Sequence, residues 1–279
     1  MKKSSHQERR RDDAFAERIA NAICEEVAVE GNPYLAQASY CHGYDVLSLM
    51  DKLSFEEMVL LLLQGELPTP ARRELLRQLM IVLATPGPRH PATRAAMSAG
   101  AGKSDPRHIL PIALTIMGGD HLGAGEVANS MVFLRYHLGK DPRESLREQM
   151  RLQPKPQEGS DWVVAPGFGS CFAGVDPMAQ QCAERLLVLP GAGKALRWGA
   201  LFAQALAEQG LGWRMPGVAA ACFLDLNISG MTPWVGGCLF QLLSAPGLLA
   251  HGLAYRLKPL NAYPFIRDDQ YIIESDAQL

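Results

Sequence analysis

The side chains that could do chemistry sit in three glycine-rich islands. The first is Met117-Gly-Gly-Asp-His-Leu-Gly-Ala-Gly-Glu126. Glycines on both sides of His121 let a ligand approach the backbone closely and leave the imidazole free to act. The second is Val163-Val-Ala-Pro-Gly-Phe-Gly-Ser-Cys-Phe-Ala-Gly-Val-Asp-Pro-Met178, a tight loop running into a helix start. It brings Ser170 and Cys171 side by side, a nucleophilic pair for which His121 could serve as base. A thiol in such a loop is also a candidate for a lowered pKa. The third is Ala245-Pro-Gly-Leu-Leu-Ala-His251. His251 reads as a packed polar residue near an interface. His108 and His137, beside Arg107 and Arg135 near helix ends, read as solvated.

Helical periods dominate the segments that must position these islands. Ser54-Phe-Glu-Glu57 is a capping-box pattern ahead of the apolar run Met58–Leu63, and Gly65 and Pro68 stop it. Asp176-Pro177 places a capping acid before a proline suited to the first turn. That helix runs over Met178–Leu189 and ends at Pro190-Gly191. Lys194–Gln209, Val218–Leu226 and Val235–Leu243 also read as helices. Alternating β-branched stretches are scarce, the best being Trp162–Val164, so an all-α fold is expected. Met150–Gly169 is the most irregular stretch. It reads either as a linker or as a rigid loop at the mouth of a site.

Composition bounds the remaining classes. The 279 residues carry 27 Lys+Arg against 29 Asp+Glu, a net charge of -2, which gives no electrostatic footprint for nucleic acid. With 48% hydrophobic and 20% charged residues, the composition argues against global disorder, and large buried or self-associating surfaces are expected. The six cysteines form no CxxC pair and sit in apolar surroundings, as reduced cytosolic thiols do, and no metal site is expected. Met1–Asp12 is polar and basic, not a secretory signal, and reads as a disordered or partner-dependent tail. Asn227–Tyr255 has no charged residue and is long enough to span a bilayer. Its polar side chains, glycines and prolines favour a buried helix pair broken near Pro246-Gly247.

Taken together, in this order and spacing, the islands resemble the citrate synthase superfamily. The likeness is to its short citryl-CoA lyase branch and the matching C-terminal module of ATP-citrate lyase, and it runs from about Tyr40 to Tyr263. His42-Gly-Tyr-Asp45, Ser54-Phe-Glu-Glu57 and Leu63-Gln-Gly-Glu-Leu-Pro68 look like the N-terminal signature of that family. Gly119-Asp-His-Leu-Gly-Ala124 is similar to Gly-Asp-His-His-Gly-Gly-Ala in the lyases. Pro166–Ala179 matches the Pro-Gly-Phe-Gly-His-Arg…Asp-Pro-Arg-Ala block without a gap. Ala245–His251 and Lys258-Pro259…Tyr263 match the last two blocks.

The resemblance implies a citrate synthase-like helical chain, dimeric at minimum. Residues 1–30 would form a tail. A large domain would cover about 31–125 and 210–279, and a small one about 126–209. The resemblance implies acyl-CoA as ligand and chemistry on a carbon–carbon bond beside the thioester. A carboxylate moves the α-proton, a neutral histidine stabilises the enolate, a second histidine serves the keto or hydroxyl oxygen, and arginines clamp carboxylates. His121 sits where the enol-stabilising histidine belongs. His90, in Arg89-His-Pro-Ala92, corresponds to an upstream histidine of the lyases if a deletion is allowed. The segment Val163, Val164, Ala165, Pro166, Gly167 and Gly169 looks like the one whose backbone wraps the CoA adenine. Either the cofactor or the fold alone could account for its survival.

The chain departs from the family where charge is needed. Ser170 stands at the second catalytic histidine. Cys171, Met178 and Ser244 stand at three arginines. Pro216 stands at the catalytic aspartate, while Asp225 matches a later acid and becomes the base only if the alignment shifts. A tricarboxylate would then be buried uncompensated, at a cost of several kcal/mol per ion. The leading expectation is a cytoplasmic acyl-CoA lyase or acyltransferase acting on something other than citrate. The competing one is a non-catalytic relative, either a subunit beside an active homologue or an acyl-CoA sensor. The implied assembly is a homodimer or such a heteromer, with no membrane and no nucleic acid as partner.

Overall fold

The computed structural model describes residues 21–157, 160–228, 231–260, 264 and 266–271. The polar start Met1–Asp12, Gly159 and Tyr263 lie outside them. The chain divides into two compact units that meet at Leu67 and Pro68.

The first unit opens with a hairpin absent from the sequence reading. β1 (Cys24–Val29) pairs antiparallel with β2 (Asn32–Cys41), and β2 with the short β3 (Tyr44–Asp45). Residues 24–30 of the expected tail are therefore strand and turn. α1 (Val46–Lys52) and α2 (Phe55–Gln64) follow. The Glu57 carboxylate accepts from the Ser54 N–H at 2.9 Å, the backbone half of the predicted capping box, and left-handed Gly65 ends α2. Cys41, Leu49 and Leu61 form a small core with Val46, Leu53 and Met58.

The second unit is helical: α3 (Pro70–Leu83), α4 (Pro91–Ala101), α5 (Pro106–Met117), α6 (Ala124–His137), α7 (Pro142–Leu152), α8 (Pro177–Leu187), α9 (Lys194–Leu206), α10 (Met215–Asp225) and α11 (Pro233–Leu257). A small antiparallel sheet joins β4 (Val163–Ala165), β5 (Phe168–Gly169) and β6 (Gly212–Trp213). Among the described residues, six helices start on a capping side chain followed by proline: Thr69-Pro70, His90-Pro91, Asp105-Pro106, Asp141-Pro142, Asp176-Pro177 and Thr232-Pro233. Proline costs nothing there because the first-turn N–H has no helical partner.

α11 corrects one expectation. It is a single helix of 25 residues, continuous through Pro246, rather than a broken pair. Close packing outweighs the lost hydrogen bond: a Cβ on Gly247 would lie 2.0 Å from the Ala84 carbonyl oxygen, and one on Gly100 would lie 2.0 Å from that of Gly252. The helix is long and apolar enough to cross a membrane, and it packs against α4, α5 and α6.

His137 corrects another. It is buried rather than solvated, with Nδ1 2.9 Å from Ser145 Oγ and its ring 4.4 Å from that of Phe133. Phe133, Phe168, Trp198, Phe202 and Trp213 extend this aromatic cluster. Phe168 is its link to the second glycine island.

Candidate functional site

The second unit contains a cavity of about 710 Å³. Its wall is contributed by the end of α3 and the loop Thr85–His90, by Leu122, by the loop Cys171–Asp176 and the start of α8, by Met215 and Pro216, and by Phe240 and Ser244 of α11. Cys171, Met178, Pro216 and Ser244 all line it. These are the four positions where the sequence departs from the charged residues of the family it resembles. They come from three helices and a loop spread over more than seventy residues, and they meet on one surface.

Each is held by local chemistry. Pro216 lies in the first turn of α10, where its missing N–H breaks nothing. Ser244 is buried, and its hydroxyl donates to the Phe240 carbonyl at 2.9 Å, the back-bond of a mid-helix serine. Met178 follows Pro177 in α8, and its N–H is capped by Asp176 Oδ1 at 2.9 Å. The Cys171 thiol is pushed up by burial, against the pull of Arg214, so the expected lowering is overturned. Desolvation disfavours the thiolate more than one cation favours it.

His90 lines the cavity, but both ring nitrogens are committed. Nδ1 accepts from the Ala92 N–H at 3.1 Å as the N-cap of α4, and Nε2 lies 3.0 Å from the Leu122 carbonyl. That pattern fixes the neutral tautomer with the proton on Nε2. Burial lowers the His90 pKa, the Leu122 carbonyl opposes this, and His121 adds to it. His90 thus positions the loop after His121.

His121 is exposed and is not among the residues lining the cavity. Its neighbour Leu122 has φ +58° and is pinned twice: its carbonyl by His90, its N–H by Glu126 Oε2 at 2.8 Å. Phe172 and Ala173, on the opposite loop, also have positive φ, of 52° and 60°. Strained residues on both loops that form the cavity are the sort of feature that functional sites retain.

Ser170 is turned inward. Its hydroxyl accepts from the Trp162 N–H at 2.7 Å and faces Asp161 Oδ1 at 3.4 Å. His121, His90 and Ser170 are therefore not gathered around one cavity. Behind Ser170 lies a feature the sequence reading missed. Arg214 is 1% exposed and Glu126 5%, and Arg214 Nε donates to Glu126 Oε1 at 2.6 Å. Arg214 also donates to the Ser170 carbonyl at 2.5 Å. One buried pair thus ties together the His121 loop, the Ser170 loop and the start of α10. The signal in the sequence was an arginine directly before Met-Pro in an otherwise apolar stretch.

The expected CoA segment is a hairpin of β4 and β5 turning at Pro166-Gly167. Val164, Ala165, Gly167 and Gly169 are buried, Pro166 is half-buried and Val163 is exposed. Gly167 has φ +80°, its carbonyl accepts from the Arg214 N–H at 2.9 Å, and a Cβ there would come within 2.4 Å of Gly217 Cα. Of the named hairpin residues, only Val163 and Pro166 keep surface open to solvent. His251 is half-buried on α11 and does not line the cavity.

Asp225 is not a free base. It accepts from the N–H groups of Gly193, Ala195 and Leu196 at 2.7, 2.9 and 3.0 Å, capping α9. Burial raises its pKa and those three bonds oppose the rise. Among the described residues no group of three or more His, Cys, Asp or Glu side chains is gathered as for a metal ion.

No family model and no curated protein matches the chain. Solved structures do. A citryl-CoA lyase from Hydrogenobacter thermophilus matches with a TM-score of 0.72 and 21% identity, over 94% of this chain and 97% of that one. An ATP citrate lyase from Methanosaeta concilii, a D541A mutant in complex with (3S)-citryl-CoA, matches at 0.67 and 16%, over 95% of this chain and 43% of that one. The citrate synthase of Thermoplasma acidophilum, a ternary complex with carboxymethyl coenzyme A and oxaloacetate, matches at 0.55 and 20%, over 79% of this chain and 59% of that one. At these identities the likeness speaks for architecture, and it runs through both units: the chain has the helical fold of the citrate synthase superfamily, shared with citryl-CoA lyase.

Proposed function

We propose that this chain binds an acyl-CoA thioester on a citrate synthase-like fold and does not perform citrate chemistry. It would be a non-catalytic relative, serving an active homologue as a subunit or sensing acyl-CoA. The observation that carries this reading is the convergence of Cys171, Met178, Pro216 and Ser244 on one cavity. Among the described residues, the only carboxylate lining that cavity is Asp176, which already caps α8. Removal of a general base alone typically costs about 10²–10⁴ in rate. The CoA ligands carried by the ATP citrate lyase and citrate synthase structures support a thioester as ligand. The reading includes a homodimer or heteromer in the cytoplasm. It keeps a division at about 126–209, with the cavity between Cys171–Met178 on one side and the remaining wall on the other.

A second reading retains carbon–carbon bond chemistry on an acyl-CoA other than citryl-CoA, as a lyase or acyltransferase. The exposed His121, on a loop pinned by His90 and Glu126, favours it. Two measurements decide. Titration with CoA and acetyl-CoA should raise the melting temperature by mass action; no shift at about millimolar ligand would overturn both readings. Acetyl-CoA α-proton exchange in D₂O should be no faster with wild type than with His121→Ala. Exchange that depends on His121 would replace the first reading by the second.

A further inference from the structure

The cavity has its own chemistry, and it points to a ligand. Its volume of about 710 Å³ falls within the range of small-molecule sites, roughly 300–1,000 Å³. Val82, Leu83, Pro86, Met178, Met215 and Phe240 make most of its surface apolar. Among the described residues two formal charges line it, Arg89 and Asp176. The Asp176 carboxylate is held by the N–H groups of Met178 and Ala179 at 2.9 and 3.2 Å. Arg89 is exposed and has no hydrogen bond or ion pair among the described residues. It follows Pro86-Gly87-Pro88, where two prolines fix φ on either side of Gly87, and immediately precedes His90, whose ring is locked. The cation is thus carried at the edge of an apolar chamber, one residue before the anchored His90.

We propose that this cavity binds an aliphatic chain bearing a single carboxylate, with the hydrocarbon against the apolar wall and the carboxylate at Arg89. A tricarboxylate would find one cation for three charges and meet Asp176 as a like charge. A hydrocarbon with one carboxylate leaves nothing uncompensated. The chemistry is the same for a free medium-chain fatty acid and for the ω-carboxyacyl group of a CoA thioester. Only the thioester source rests on the reading given above.

Calorimetric titration of the full chain tests this with hexanoate, octanoate, citrate, CoA and suberyl-CoA. Octanoate should bind about fifteenfold more tightly than hexanoate, since each of its two additional buried methylenes contributes about 0.8 kcal/mol, or fourfold. Citrate should bind more weakly than either. Arg89→Gln should weaken octanoate about tenfold or more and leave octanamide unchanged. Met178→Glu, at an exposed position, should weaken octanoate and be tolerated by the fold, checked by its melting curve. Suberyl-CoA binding more tightly than both octanoate and CoA identifies the thioester source; octanoate binding with no CoA binding identifies the free acid and overturns the acyl-CoA reading alone. CoA binding without octanoate or suberyl-specific binding overturns this inference alone. Citrate binding more tightly than octanoate, or octanoate indifferent to both substitutions, overturns it as well.

Discussion

The cavity wall and the frame one residue behind it treat charge in opposite ways. On the wall, Cys171, Met178, Pro216 and Ser244 carry none. In the frame, Ser170 precedes Cys171, and Arg214 precedes Met215 and Pro216. There Arg214 and Glu126 form a buried, multiply hydrogen-bonded pair, and Asp225 closes the far end of α10 by capping α9. Charge is missing at these four wall positions, leaving Arg89 as the cation there, while charge that holds the loops in place remains. Removing a wall charge costs only the ligand contact it made. Removing half of a buried pair strands its partner in a medium that cannot solvate it.

The largest effect is therefore expected at the pair. Arg214→Met should destabilise the chain by about 3–5 kcal/mol in urea denaturation, because Glu126 is left buried and unpaired. Arg214→Met with Glu126→Leu should recover much of that loss, a coupling read directly from the double-mutant cycle. A single-mutant cost below about 1 kcal/mol would erase the distinction between frame and wall. Next comes the cap. Asp225→Ala removes the acceptor of three N–H groups at the start of α9 and should cost about 0.5–2 kcal/mol, measured the same way.

What the sequence disclosed follows the same line between local and distant causes. Ser54 with Glu57 and Asp176 with Pro177 were legible because capping chemistry lies within three residues. The glycine islands were legible because their order and spacing are one-dimensional. The Arg214–Glu126 pair spans 88 positions, and no local pattern announces it. β1 reads Cys-Glu-Glu-Val-Ala-Val, exposed along its whole length, so it has no buried face to impose alternation. Pro246 looked like a break because its cost is local, whereas the contacts of Gly247 with Ala84 that offset it are tertiary. His137 looked solvated beside Arg135, yet Ser145 and an aromatic cluster enclose it.

A smaller effect is common to wall and frame and is read through pH. Burial lowers the pKa of His90, on the wall, and of His137, in the frame. Both are neutral when folded, and both gain a proton near their ordinary value of about 6.5 when unfolded. Below that value the unfolded chain binds more protons than the folded one, so stability is full above about pH 6.5 and is lost as pH falls toward the depressed values. Denaturation curves at about pH 7.5 and 5.5 should show the loss. His137→Gln and His90→Asn should each flatten it. Asparagine keeps a cap acceptor, so His90→Asn tests the titration without removing the helix start. An unchanged pH slope in both variants would remove the histidines from the account.

The smallest effect is expected on the wall itself, and it is the most direct probe of the difference. Met178 is 62% exposed in the first turn of α8. An arginine there meets an unfavourable helix dipole, worth about 0.3–1 kcal/mol when unscreened, but also the Asp176 carboxylate beside it. The two nearly cancel, so Met178→Arg should shift stability by less than about 0.5 kcal/mol. It should nevertheless give the cavity a second cation, and charge-assisted bonds to carboxylates are the strong ones. Citrate affinity should therefore rise in calorimetry while the melting curve stays put. If the variant instead unfolds as readily as Arg214→Met, the wall is part of the frame and the distinction fails. If it folds and citrate still does not bind, charge is not what the cavity lacks for citrate, and its shape excludes the ligand.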